Sequence, residues 1–136
     1  MTDFEREFFK KLKFDEDEIK AFLESARHDL EIAEKDTFPE VKFTYSYQTL
    51  IKLGIVLAAK IGSVKVRSIP GHHVKILEKA SQILGDEDFL ILGNAMRMKR
   101  NTDLYGGAKP VSQKEAEDYL HFVKKMYRKT KDRIGF

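Results

Sequence analysis

The sequence predicts an all-α protein, an up-and-down antiparallel bundle of four to five helices. Three observations carry this reading. Apolar residues recur every three or four positions through most of the chain. The prolines, Pro39, Pro70 and Pro110, all fall between those periodic stretches and interrupt none of them. The stretches also open on helix-starting residues, Asp15 and Ser112 among them, and stop at glycines such as Gly62 and Gly85.

Asp15 is an N-cap, and Glu16, Asp17 and Glu18 fill the first turn, where carboxylates suit the positive end of the helix dipole. Ile19, Phe22, Leu23, Ala26, Leu30 and Ala33 then form one stripe, which predicts a helix ending near Lys35. Upstream, Phe4, Phe8 and Phe9 line one face of a short leading helix. A second long helix is predicted from about Phe43 to Ile61. Its stripe is Tyr47, Leu50, Ile51, Gly54, Leu57, Ala58 and Ile61, with Ile55 and Val56 lying off it. A helix apolar around most of its circumference belongs at the centre of a bundle. Gly54 costs about 1 kcal/mol relative to alanine in mid-helix, which suits a place where another helix comes close.

Val64, Val66 and Ile69 alternate with Lys65 and Ser68, a strand-like pattern. The stretch is short and no partner strand is evident, so it reads as an extended connection. Pro70-Gly71 opens a third helix with His73, Leu77, Ala80 and Leu84 on one face. Asp86-Glu87-Asp88 starts a fourth, which holds Phe89, Leu92 and Met96 and runs to about Asn101. Tyr105 to Pro110 reads as a loop because paired glycines and a proline disfavour helix. Ser112 and Glu115 make a capping box for the last helix, whose stripe is Ala116, Tyr119, Leu120, Val123, Met126 or Tyr127, Thr130 and Ile134.

A length of 136 residues suits one domain spanning 1–136, with 1–14 as a short leading helix or arm. No apolar run approaches the roughly 18 residues needed to span a bilayer. Met1-Thr2-Asp3-Phe4-Glu5 lacks the features of a signal peptide. A cytoplasmic protein without membrane association is therefore expected. The net charge of +3 hides an asymmetry: residues 1–40 hold 13 acidic and 7 basic side chains, and residues 95–136 hold 5 and 11. The basic third either attracts phosphate groups or folds against the acidic third.

With no cysteine, disulfides, thiolate metal sites and a cysteine nucleophile are excluded. The histidines, His28, His72, His73 and His121, show no zinc-site spacing, and no phosphate-binding glycine loop occurs, so no metal and no cofactor is expected. The densest polar cluster is Met96-Arg97-Met98-Lys99-Arg100-Asn101-Thr102-Asp103-Leu104-Tyr105. Arg97 and Arg100, with Asn101, share a face near a helix C-terminus. Cations there complement the helix dipole, and guanidinium forks also match phosphate. Tyr105, beside two glycines, either stacks on a base or packs over the bundle end. His73 lies on an apolar stripe at a helix N-terminus, a position that disfavours its charged form. His121, Lys124, Lys125 and Arg128 form a basic strip that reads as a solvated face or as a contact to an RNA backbone.

Taken in order, Ala26-Arg27-His28-Asp29-Leu30-Glu31-Ile32-Ala33, the tyrosine-rich second helix, Gly71-His72-His73 and the Arg97–Tyr105 run give a pattern that resembles the HEPN family (higher eukaryotes and prokaryotes nucleotide-binding domains). The resemblance covers roughly residues 15–135. It implies a helical bundle that dimerises, with a cleft at the dimer interface lined by the arginine motif. Many members are metal-independent ribonucleases, often toxins, and others are accessory partners of a minimal nucleotidyltransferase in toxin–antitoxin or defence pairs. The nuclease motif is an arginine, a polar residue and then a histidine four to six positions beyond the arginine. Arg100 and Asn101 match its opening, but Tyr105 stands nearest the histidine position and no histidine occurs from 101 to 110. Tyrosine, with a reference pKa of about 10, is a poor base at pH 7.

The leading expectation is a module that binds nucleotide or RNA phosphate through Arg97, Arg100, Asn101 and Tyr105. It would work as a homodimer beside a nucleotidyltransferase, with Tyr105 open to nucleotidyl modification. The alternative is a metal-independent ribonuclease with Arg100 and His73 as catalytic residues and Arg97 assisting. A further alternative is a non-catalytic bundle that serves structure or partner binding.

Overall fold

The elements run in the order α1 (Asp3–Phe8), β1 (Phe9–Lys11), α2 (Glu16–Lys35), α3 (Pro39–Lys60), β2 (Val64–Val66), α4 (His72–Leu84), α5 (Asp88–Tyr105) and α6 (Gln113–Ile134). They are taken from a computed structural model that describes residues 2–105 and 110–136, the side chains of 102–105 excepted. The molecule is an all-α bundle of five long helices with one short helix and a two-stranded ribbon added to it.

The central helix is α3, against which α2, α4, α5 and α6 all pack. Pro39 occupies its first turn, where a fixed φ and a missing N–H carry no penalty. Burial then runs around nearly its whole circumference: Phe43, Tyr47, Leu50, Leu53, Val56 and Leu57 are all covered. Val56, which lies off the sequence stripe, is fully buried because neighbours cover more than one side. Burying a side chain of this kind stabilises the fold by roughly 1.5–3 kcal/mol. Gly54 lets α4 come close to α3. A Cβ built there would stand 2.4 Å from Cγ2 of Ile76 and 3.4 Å from the Ile76 carbonyl oxygen.

The helix ends are held as the sequence predicts. The Asp15 carboxylate accepts from the Glu18 N–H at 2.8 Å. Ser112 and Glu115 bond reciprocally at 3.0 and 3.2 Å. Gly85 closes α4 with φ at 63°, a left-handed conformation that glycine adopts without a Cβ penalty. The C-terminus of α2 is closed from a distance. Buried Lys42 donates to the Ala33 carbonyl at 2.7 Å and the Glu34 carbonyl at 3.3 Å, and it stands 3.6 Å from Glu117 of α6. The acidic N-terminal third meets the basic end at Glu34–Lys124, 3.5 Å apart.

Relative to the sequence reading, α3 begins four residues earlier, at Pro39, and α5 runs four residues further, to Tyr105, and two larger features differ. Residues 64–66 are a strand, and their partner is Phe9–Lys11, in antiparallel register Phe9↔Val66, Lys10↔Lys65 and Lys11↔Val64. The leading helix accordingly stops at Phe8, and Phe9 begins a strand instead of extending the helical face. The partner lies more than 50 residues away, so alternation within 64–69 gave no sign of it. The second feature concerns direction. Tyr47 meets His73, and Gly54 meets both Ile76 and Ala80, so α3 and α4 run in the same sense. The segment 61–71 carries the chain back over about 20 Å of helix length, and the ribbon is built from that return.

Candidate functional site

The same-sense packing of α3 and α4 sets the start of α4 beside the first half of α3, and α5 then folds back across both. Three helices therefore deliver side chains to one place. From α3 comes Tyr47, which is 1% exposed. From α4 come His72 and His73, whose rings meet edge to face with centroids 4.5 Å apart. From α5 come Arg97 and Arg100, three residues apart and both half-buried.

The contacts are specific. The Tyr47 hydroxyl and Nδ1 of His73 share a hydrogen bond of 2.9 Å. The Arg100 guanidinium carbon lies 5.7 Å from the centre of the Tyr47 ring, a cation–π contact. Nε of Arg97 donates to Oδ1 of Asn94 at 3.0 Å, which fixes that side chain one turn above Arg100. Nδ1 of His72 lies 2.7 Å from the Ile69 carbonyl. A carbonyl oxygen only accepts, so this nitrogen carries the proton.

The electrostatics follow from this geometry. Burial, then His72, Arg100 and Arg97, push the pKa of His73 down to about 4. Burial pushes Tyr47 up to about 12, outweighing the downward pull of Arg100 and Arg97. At pH 7 the imidazole of His73 is neutral and the phenol keeps its proton. The charge of the cluster is that of two guanidinium groups, and among the described residues neither is paired with a carboxylate. A partly desolvated pair of cations flanked by hydroxyl and imidazole groups is an environment for an anion, and phosphate matches its donors.

Of the residues singled out from sequence, Arg97, Arg100 and His73 are thus brought together. Asn101 is exposed and takes no part in the contacts described. The side chain of Tyr105 lies outside the described residues. His121, Lys125 and Arg128 are exposed along α6, and Lys124 of the same strip stands 3.5 Å from Glu34. No group of three potential metal ligands occurs among the described residues. No helix of the described residues is long and apolar enough to cross a membrane. Sequence reasoning counted Tyr47 only as part of a core stripe. Its signal was the hydroxyl itself, because a buried tyrosine needs a hydrogen-bond partner.

Compared with protein-family models, with curated proteins and with solved structures, the chain has no match.

Proposed function

We propose that the protein is a HEPN-like helical module that binds the phosphate of a nucleotide or RNA at the Arg97, Arg100, His73 and Tyr47 cluster. The observation that carries the reading is the meeting of two guanidinium groups, neither paired with a carboxylate among the described residues, with a neutral Tyr47–His73 pair on three separate helices. Arg100 and Arg97 hold the anion, and Tyr47 sets the orientation of both Arg100 and His73. The sequence resemblance adds an accessory role beside a minimal nucleotidyltransferase in a cytoplasmic toxin–antitoxin or defence pair, with Asn101 and Tyr105 at the edge of the site.

A homodimer belongs to the same proposal. Ile91 and Met98 lie seven residues apart on α5, hence on one face, and are 58% and 56% exposed. Two α5 helices packed antiparallel across a two-fold axis would set Ile91 against the partner copy's Met98. The same arrangement brings acidic Asp88 toward the arginine end of the other helix.

The ribonuclease reading has one supporting observation, the presence of His73 beside the arginines. A base with a pKa of about 4 is weak at pH 7, so phosphate holding is the better-supported role. Calorimetric titration with ATP and with a short RNA tests it. Arg100→Ala is expected to weaken binding tenfold to a hundredfold, the equivalent of about 1.5–3 kcal/mol for a charge-assisted hydrogen bond. Unchanged affinity in that variant would refute the proposal.

A further inference from the structure

The ribbon of β1 and β2 carries a feature that its own stability does not favour. In its register Lys10 stands directly opposite Lys65, and both are exposed. Like charges directly opposite on paired strands are destabilising, and an isolated two-stranded ribbon has little stability to give away. Lys11 follows Lys10, and Lys13 lies just beyond β1, both also exposed. Lys11, Leu12 and Lys13 line an open concavity of about 420 Å³ with Gly62 and Ser63. Among the described residues no carboxylate pairs with any of these lysines. Four acids of the flanking helices are engaged elsewhere: Asp3 with Arg6, Glu5 in the α1 cap, Asp15 in the α2 cap and Glu16 with Lys60. Glu7 on α1 is the single acidic residue between Arg6 and Phe14, although residues 1–40 as a whole are strongly acidic.

The ribbon is also continuous with the arginine cluster. The Arg67 N–H donates to the Phe8 carbonyl at 2.6 Å, extending the ladder past β2. A Cβ at Gly71 would lie 3.8 Å from the Phe8 ring, so the near end of the ribbon touches the start of α4. His72 is the next residue. His72 is seven positions beyond Lys65, a path of at most about 25 Å.

We propose that Lys10, Lys11, Lys13 and Lys65 form a second phosphate-binding stretch, so that the ligand is a single-stranded RNA of several nucleotides running from the ribbon to Arg97 and Arg100. The inference deepens the phosphate reading of the cluster and rests on it for the far end of the strand. Repulsion between Lys10 and Lys65 is relieved when phosphates lie between them. Each lysine that meets a phosphate releases a condensed counterion, which steepens the salt dependence of binding.

Fluorescence anisotropy of a labelled single-stranded RNA octamer, measured over a series of salt concentrations with ATP in parallel, tests this. Replacing all four lysines by glutamine is expected to lower octamer affinity roughly tenfold or more and to flatten the log–log salt slope by about 2–3. ATP affinity stays at the wild-type value. Lys10→Glu supplies a second signature. It replaces repulsion by attraction across the ribbon, so Tm rises while octamer binding weakens. A purely structural role would not separate the two. Octamer affinity and salt slope equal to wild type in the four-lysine variant overturn the proposal. So does binding of the wild-type ribbon to anionic vesicles but not to RNA. The two readings fail separately. If Arg97→Ala/Arg100→Ala leaves ATP binding intact while the lysine variant loses the octamer, the cluster reading falls and the ribbon site stands.

Discussion

Lowering the pH charges His73 in a place built for its neutral form. The folded-state pKa is about 4 against 6.5 for the free side chain. A depressed histidine pKa means that the unfolded chain takes up the proton first. The contribution to stability is therefore full above pH 6.5, is lost as pH falls from 6.5 toward 4, and is constant below that. At pH 5 the full shift corresponds to a loss of about 2 kcal/mol relative to pH 7. Because His73 is only partly buried, solvent screening reduces this to about 1 kcal/mol. Urea unfolding at pH 7 and pH 5 measures the loss, and the variant His73→Gln, which cannot take the proton, should lose about 1 kcal/mol less between the two. Imidazole resonances followed by NMR give the pKa directly. Saturating inorganic phosphate offsets the field of Arg97 and Arg100 and moves that pKa upward. A His73 pKa of 6 or more in the free protein, or equal pH dependence in the wild type and the variant, would refute the reasoning.

Two further outcomes follow from packing. Gly54→Ala places a methyl group 2.4 Å from the Ile76 side chain, and α3 and α4 must separate to admit it. A loss of about 1–3 kcal/mol in urea unfolding is expected despite the better helix propensity of alanine. Ile91→Asp combined with Met98→Asp puts charge on the exposed face of α5 and should convert the proposed dimer to a monomer in sedimentation velocity, with unfolding stability per chain unchanged within about 0.5 kcal/mol.

The parts of this fold that the sequence discloses are those set by neighbours in the chain. Asp15 and Ser112 announce helix starts because a cap needs only residues three positions away. Gly54 signals a close helix approach because its cost in mid-helix asks for a reason. The arginine face is legible for the same cause, since Arg97 and Arg100 are one helical turn apart. What the sequence conceals is non-local. Nothing near Val64 points to Phe9, and nothing near His73 points to Tyr47, 26 residues earlier. That second pairing depends on the direction of α4 relative to α3, which is set by the return segment between them.

The ribbon is anchored by a small apolar centre of its own: Phe9, Ala58 and Val64 are buried together, with Phe8 and Val66 beside them, and only Val66 of these also packs against the main core. So few contacts give this corner a much lower free energy of opening than the helices beneath it. It works as a clasp that can come undone while the body stays closed. Amide protons of residues 9–11 and 64–66 therefore exchange with solvent well before those in the middle of α3, and a protease cuts the N-terminal arm while the bundle is still intact.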